Sequence, residues 1–224
     1  MRRLLTFGIL AGALGVLGTA AGQGRDGTPP PDPRDVRLIG NRFPPLAWDR
    51  MNAAQRTMVE HLLQGERRGA AGPFNVLLRS PEMGDLAQQF GATMRFRSSL
   101  PRPLNEMAIL ITARHWTSHY EWYAHKRAAL DAGLRPAIVE AIAGGARPAA
   151  MTPDEAAVYT FCTELLERKR VSDATFAAAR TAFGERGVVD LIGVTGYYQL
   201  VSMLLNVDEY PLPDGVTPEL KPLR

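Results

Sequence analysis

The chain has 224 residues, of which 46% are hydrophobic and 22% are charged. This length and composition fit a soluble globular protein with one principal domain. The formal net charge is only +3 and no long block of Lys and Arg occurs, so the composition does not support nucleic-acid binding.

Residues 1–21 have the three-part pattern of a secretory signal peptide. Arg2 and Arg3 precede an apolar run that ends at Leu17, and small residues suited to cleavage follow. An uncleaved membrane anchor is the alternative, but the run is rich in Gly and Ala and is short for a bilayer span. We therefore expect cleavage, export to the periplasm or the medium, and no membrane contact afterwards. Loss of the two arginines lowers the formal net charge from +3 to +1.

The rest of the chain divides into a linker, a helical domain and a tail. Residues 22–45 are rich in Gly, Pro, Asp and Arg, a composition that predicts a disordered linker. From 46 to 207 apolar residues recur with a helical period, and no alternating strand pattern appears. Residues 208–224 are rich in proline and are predicted to form an irregular tail. The sequence thus predicts one all-α domain.

Caps and glycines mark the boundaries of the predicted helices. A helix that starts near Met51 is closed by Gly65 or Gly69, and a second begins at Pro81 after the N-cap Ser80. Further helices are predicted from Pro136 to Gly144, from Pro153 after a capping box of Thr152 and Glu155, from Ser172 to Phe183, and over a strongly apolar final segment that ends near Val207.

The longest predicted helix covers Leu104 to Ala132. When its residues are placed at roughly 100° intervals around the helix axis, one face about 120° wide collects the polar side chains. His115 and His119 fall outside this face and are interpreted as packing or interface residues. The polar face consists of Glu106, Arg114, Ser118, Glu121 and His125.

Glu121 and His125 are four residues apart, so their side chains meet on one helix surface. A carboxylate beside an imidazole favours the charged ring and orients it, which makes a proton donor that is tunable near neutral pH. Arg114 on the same face could hold a substrate carboxylate. The alternative is a solvated surface pair without function, although the neighbouring Trp and Tyr residues argue against it.

Two segments resemble the carboxymuconolactone decarboxylase family, whose fold is shared with alkyl-hydroperoxidase D-like proteins. They are "NEMAILITARHWTSHYEWYAHKRAALDAGL" at 105–134 and "GPFNVLLRSPEM" at 72–83. The resemblance extends over about 46–207. It implies a helical bundle that associates as a homotrimer or larger homo-oligomer, with a substrate pocket beside the long helix.

The hydroperoxidase-like branch of that family uses a Cys-x-x-Cys pair ahead of the histidine. Ser118 and Glu121 stand at the two cysteine positions here, and neither can form a disulfide, so thiol peroxidase activity is not expected. The single cysteine, Cys162, lies among apolar residues of another predicted helix and is interpreted as a buried, inert thiol.

The decarboxylase branch has the pattern Tyr-Glu-Trp-x-x-His, present here from Tyr120 to His125, and needs no metal or organic cofactor. The resemblance implies that His125 is the general acid, that Glu121 orients or charges it, and that Glu106 is a supporting relay. A small carboxylated lactone or related acid would be the substrate. Candidate substrate-binding residues are Arg114, Arg97, Ser118 and Trp122.

Two further hypotheses compete with this cofactor-independent lyase. Lactone decarboxylation is an intracellular reaction of aromatic catabolism, so an exported protein could act on a different acid or could bind a ligand or assemble without catalysis. A metal site is the weaker hypothesis, because Glu121 and His125 alone supply too few ligands.

Overall fold

The computed structural model describes residues 29–222. The predicted signal peptide, 1–21, and the first part of the predicted linker, 22–28, lie outside the described residues. Within 29–222 every regular element is a helix and the helices pack as one domain, so the predicted all-α class is confirmed.

Eight α-helices follow one another along the described chain, with two short 3-10 turns, Pro33–Asp35 and Trp48–Arg50, before the first. The α-helices are α1 Ala53–Gln64, α2 Phe74–Leu77, α3 Pro81–Phe96, α4 Arg102–His115, α5 His119–Asp131, α6 Pro136–Ala143, α7 Pro153–Arg168 and α8 Asp173–Asp208.

Several predicted helix boundaries are confirmed by their caps. Thr152 Oγ1 accepts a hydrogen bond from the Glu155 backbone N–H, and Glu155 Oε2 accepts one from the Thr152 N–H at 2.7 Å, which completes the capping box of α7. Gly184 has φ 68° and ψ 179°, so α8 is interrupted directly after Phe183, where a predicted helix ends.

The prediction of one long helix from Leu104 to Ala132 is wrong, because the chain breaks between α4 and α5. Thr117 adopts a left-handed φ of 47°, its N–H donates to Arg114 O, and the Ser118 N–H donates to Ala113 O. These two bonds form a Schellman motif, which normally carries glycine at the left-handed position. Threonine stands there instead, so the sequence gives no stop signal, and α5 folds back against α4.

Helix α4 is the centre of the domain and packs against α5, α6, α7 and α8. Residues 104–114 are all buried, so this helix has no solvent face over eleven residues. The main hydrophobic core surrounds it, and a second cluster lies between α1, α2 and the N-terminal segment. Polar side chains on α4 are consequently placed inside the protein.

The prediction of a disordered linker is wrong for the described part of 22–45. Asp208 Oδ1 accepts hydrogen bonds from the backbone N–H of Asn41 (3.1 Å) and of Phe43 (2.8 Å), and Asn75 Nδ2 donates to Phe43 O at 2.7 Å. Leu38 is buried in the second cluster. The partners lie in distant parts of the sequence, so the local composition could not reveal them.

Residues 209–222, which follow α8, form no helix, yet they belong to the domain. Tyr210 and Leu220 are buried in the main core. Glu219 Oε2 accepts hydrogen bonds from Trp122 Nε1 (3.3 Å) and Lys126 Nζ (2.6 Å) on α5. The packed unit therefore extends on both sides of the predicted boundaries at 46 and 207.

Within 29–222, one helix, α8, is long and apolar enough to cross a membrane by length and composition alone. Its most apolar window has a mean hydropathy of 1.5, and half of that window is buried inside the protein. Core helices of soluble proteins have the same properties, and α8 packs against α3, α4 and α7.

Candidate functional site

The hairpin of α4 and α5 brings Glu106 and His125 into direct contact. His125 Nδ1 lies 2.6 Å from Glu106 Oε2 in an aligned hydrogen bond. His125 Nε2 lies 3.1 Å from Glu121 Oε1, but Glu121 Oε1 has no hydrogen-bond partner, so this contact is close without being aligned. All three side chains are buried, and His125 is only 3% exposed.

Two opposing effects act on the pKa of His125. Burial is the larger single effect and lowers it, because an imidazolium loses hydration. The charge of Glu121, the hydrogen bond to Glu106 and the charge of Glu106 act in the other direction, and together they raise the pKa above its ordinary value. These partners therefore favour the charged form of the ring, which is held at Nδ1 and has no aligned bond at Nε2.

A cavity of about 230 Å³ opens beside His125 and Glu121. It lies between α5, α8 and the segment before α2, and aromatic rings form much of its wall. The His125 ring meets Tyr198 edge to face, with centroids 4.9 Å apart. The aromatic lining residues are Phe74, Tyr120, Tyr197 and Tyr198.

Glycine on α3 makes room for one of these rings. A Cβ atom on Gly91 would lie 2.0 Å from Tyr197 Cζ, so any larger residue would displace the ring. Tyr197 in turn packs edge to face against Phe90 and Tyr198. This wall of the cavity is thus fixed by the close approach of α3 and α8.

The tyrosine hydroxyls of the cavity are hydrogen-bond donors. Burial, the largest cause, raises the pKa values of Tyr120, Tyr197 and Tyr198 above the ordinary value for tyrosine. The hydroxyl of Tyr198 is buried and has no hydrogen-bond partner among the described residues. Because a buried polar group without a partner is costly, this hydroxyl is a candidate ligand donor.

Two arginines, Arg67 and Arg95, line the same cavity. Arg67 Nη2 donates to the Tyr197 hydroxyl at 3.4 Å, and its Nε is buried without a partner. The guanidinium groups lie over aromatic rings, that of Arg67 at 5.1 Å from the Phe74 centroid and that of Arg95 at 5.2 Å from the Phe96 centroid. Within 29–222 neither forms a salt bridge, and Glu121 is the one acidic residue that lines the cavity with them.

A second cavity, of about 370 Å³, lies on the other side of the histidine. Glu106 and Arg102 of α4 line it together with Asn105, and Arg95 lines both cavities. The two glutamates that contact His125 therefore border different spaces, Glu121 the aromatic cavity and Glu106 the second cavity.

The structure does not bring the four predicted substrate-binding residues to the aromatic cavity. Arg97 lies at the exposed end of α3, where it pairs with Glu66. Arg114 lines a different cavity at the far end of α4. Ser118 and Trp122 are buried beside the helix break and in the main core. Arg114 and Ser118 were placed by projecting one continuous helix, and the break at Thr117 invalidates that projection. Arg97 and Trp122 were candidates from the family resemblance.

The site residues that sequence reasoning missed come from distant segments. Arg67 precedes α2, Arg95 ends α3, and Tyr197 and Tyr198 lie in the middle of α8. Two adjacent tyrosines in an otherwise apolar helix were a usable signal, because buried hydroxyls need partners. The arginines had none, since Arg is abundant throughout the chain.

Metal-ligand geometry is not found in the described chain. Between residues 29 and 222, no group of three or more His, Cys, Asp or Glu side chains is arranged to hold a metal ion. Glu106, Glu121 and His125 form a buried cluster in which both carboxylates contact the imidazole ring.

The fold and site define an all-α protein with a buried glutamate–histidine pair beside a cationic, aromatic cavity. No family model, no curated protein and no solved structure matches this chain.

Proposed function

We propose that this protein is a cofactor-independent lyase of the carboxymuconolactone decarboxylase type, which removes carbon dioxide from a small carboxylated lactone or related acid. The observation that carries the proposal is the aligned bond between Glu106 Oε2 and His125 Nδ1, which leaves Nε2 beside an aromatic cavity with two unpaired arginines. A buried carboxylate on one ring nitrogen fixes the orientation of the imidazole and supports its charged form.

The reaction needs one proton and no redox partner. The bond between the substrate carbon and its carboxylate breaks, carbon dioxide leaves, and the electron pair delocalises onto the carbonyl of the substrate. His125 donates its Nε2 proton to that carbon and is reprotonated from water. Glu106 acts as the positioning residue, because it holds Nδ1, while Glu121 lies next to the transferred proton.

Arg67 and Arg95 take the role that the sequence assigned to Arg97 and Arg114. An unpaired guanidinium binds a carboxylate through parallel hydrogen bonds, and the hydroxyl of Tyr198 is available to an oxyanion. The aromatic walls suit a flat, unsaturated ring. An anionic substrate would thus be held between the arginines and His125.

The main test compares carbon dioxide release from unsaturated carboxylactones by the wild-type protein and His125→Gln. Loss of a general acid lowers the rate by about 10²–10⁴-fold, so we expect a reduction of that order. Glu140→Gln, an exposed substitution on α6, is the matched control and should keep full activity.

The alternative function has a distinct outcome in the same experiment. If a carboxylactone binds equally well to the wild type and to His125→Gln, and neither protein releases carbon dioxide, the scaffold is a ligand-binding protein. Arg67→Gln and Arg95→Gln should raise KM in the lyase case, because they remove the binding partners of the substrate and leave the acid in place.

Export and homotrimer formation complete the proposal. Support for assembly comes from an apolar stripe on the part of α8 after Gly184, which consists of the exposed side chains of Val189, Ile192, Met203 and Val207. We expect light scattering after size-exclusion chromatography to give a trimer and Ile192→Glu to give a monomer. A wild-type monomer that binds lipid vesicles would instead assign the stripe to a membrane surface.

A further inference from the structure

A third cavity, with a buried cation, lies away from the histidine site. It has a volume of about 70 Å³ and is enclosed by α4, α6 with its following turn, and α7. Polar side chains that line it are those of Arg114 and His115 on α4 and of Thr163 on α7. Arg114 is eight residues beyond Glu106, which separates the two sites by about 12 Å along the helix axis.

Arg114 is a buried charge without an acidic partner. Only 5% of the residue is exposed, and its two hydrogen-bond acceptors are neutral, Thr117 Oγ1 at 3.3 Å and Lys221 O at 2.7 Å. No salt bridge to Arg114 is formed within the described chain, and its Nε has no partner. Burial lowers the pKa of the guanidinium, and no nearby carboxylate offsets this effect.

An arginine has five N–H donors, and the protein engages two of those of Arg114. A buried charge that lacks a counter-ion destabilises the folded state unless something binds to it. The unsatisfied donors and the adjacent cavity therefore point to an external acceptor of negative charge.

The walls of the cavity indicate the rest of the ligand. Ile111, Ile142 and Leu166 are apolar and buried. A water-sized sphere needs about 10–15 Å³ in this measure, so the cavity holds a group of only a few heavy atoms. The one acidic lining residue, Glu167, is exposed on α7 and is screened by solvent.

We propose that Arg114 anchors a short-chain aliphatic monocarboxylate, of the size of acetate to butyrate, in the cavity between α4, α6 and α7. The carboxylate would accept hydrogen bonds from the guanidinium, and the alkyl tail would lie against the isoleucine and leucine side chains. This site is separate from the aromatic cavity and does not depend on the lyase activity.

The test is calorimetric titration of the full chain with sodium butyrate at constant ionic strength. Sodium chloride is the control for an anion without an alkyl tail, and 1-butanol is the control for an alkyl tail without a charge. We expect saturable binding of butyrate, and of neither control. Arg114→Gln should raise Kd at least tenfold. Ala146→Phe, at the exposed mouth of the cavity, should do the same while it leaves Arg114 intact.

Arg95→Gln is the matched control, because Arg95 lines the aromatic cavity and the 370 Å³ cavity but not the cavity of Arg114. Butyrate binding that is lost in this variant and kept in the other two would assign the anion to the histidine site and overturn the proposal. An absence of saturable binding to the wild type would overturn it as well, and would leave water as the occupant of the cavity.

Discussion

Replacing Glu106 by glutamine tests which carboxylate controls His125. Glutamine keeps the size of the side chain and removes its charge. The bond from Nδ1 to Oε2 is buried and 2.6 Å long, and hydrogen bonds to charged groups contribute about 1.5–3 kcal/mol. One pKa unit corresponds to about 1.36 kcal/mol. We therefore expect Glu106→Gln to lower the pKa of His125 by about one to two units.

The measurement is a pH titration of the histidine ring resonances by NMR. The chain has four histidines, and His125→Gln identifies the signal of the buried ring. Glu140→Gln, far from the site on an exposed helix face, should leave that signal unchanged. The reasoning is refuted if Glu106→Gln leaves the pKa of His125 at its wild-type value while Glu121→Gln lowers it, because the misaligned contact would then be the controlling one.

Three further predictions concern stability and reactivity. The folded-state pKa of His125 is raised above the unfolded value of about 6.5. Its stabilising contribution is therefore complete below that pH and is lost as the pH rises through the folded-state pKa. The difference in unfolding free energy between wild type and His125→Gln, measured in urea at several pH values, should shrink over this window. Asp208→Ala removes the acceptor of two backbone N–H groups. It should destabilise the fold by about 1.5–3 kcal/mol per bond and speed up hydrogen exchange at Asn41. Asp214→Ala, a substitution of an exposed residue, should change neither the stability nor the exchange rate. Burial raises the pKa of Cys162 to about 12, so a thiol reagent should modify the native protein at neutral pH far more slowly than the urea-unfolded one; equal rates would contradict the burial.

The all-α class was predictable because its signals are local. Thr152 with Glu155, Ser80 before Pro81, and Gly144 each mark a boundary through residues adjacent in sequence. The break at Thr117 carries no such signal, since a threonine occupies a left-handed position that usually holds glycine. Local rules therefore identify helices reliably and miss a turn that tertiary packing imposes.

The residues around the histidine were predictable only in part. The sequence placed Glu106 and His125 on one face of a continuous helix, several turns apart, and did not predict their direct contact. Arg67 and Arg95 reach the same cavity from segments that precede α4, and no periodicity relates them to His125. Long-range packing decides which of the arginines line the cavity beside the histidine.

The helix break is a condition for the site rather than an irregularity beside it. Glu106 and His125 are nineteen residues apart, and along one continuous helix this separation spans about 28 Å. With the reversal at Thr117 the two side chains lie 2.6 Å apart. Because α4 is buried on all sides, its glutamate reaches the histidine inside the core, where a charge is costly unless it is paired. Arg114 lies at the opposite end of α4 and donates to Thr117 Oγ1 in the same turn, so the turn also contributes to the proposed anion site.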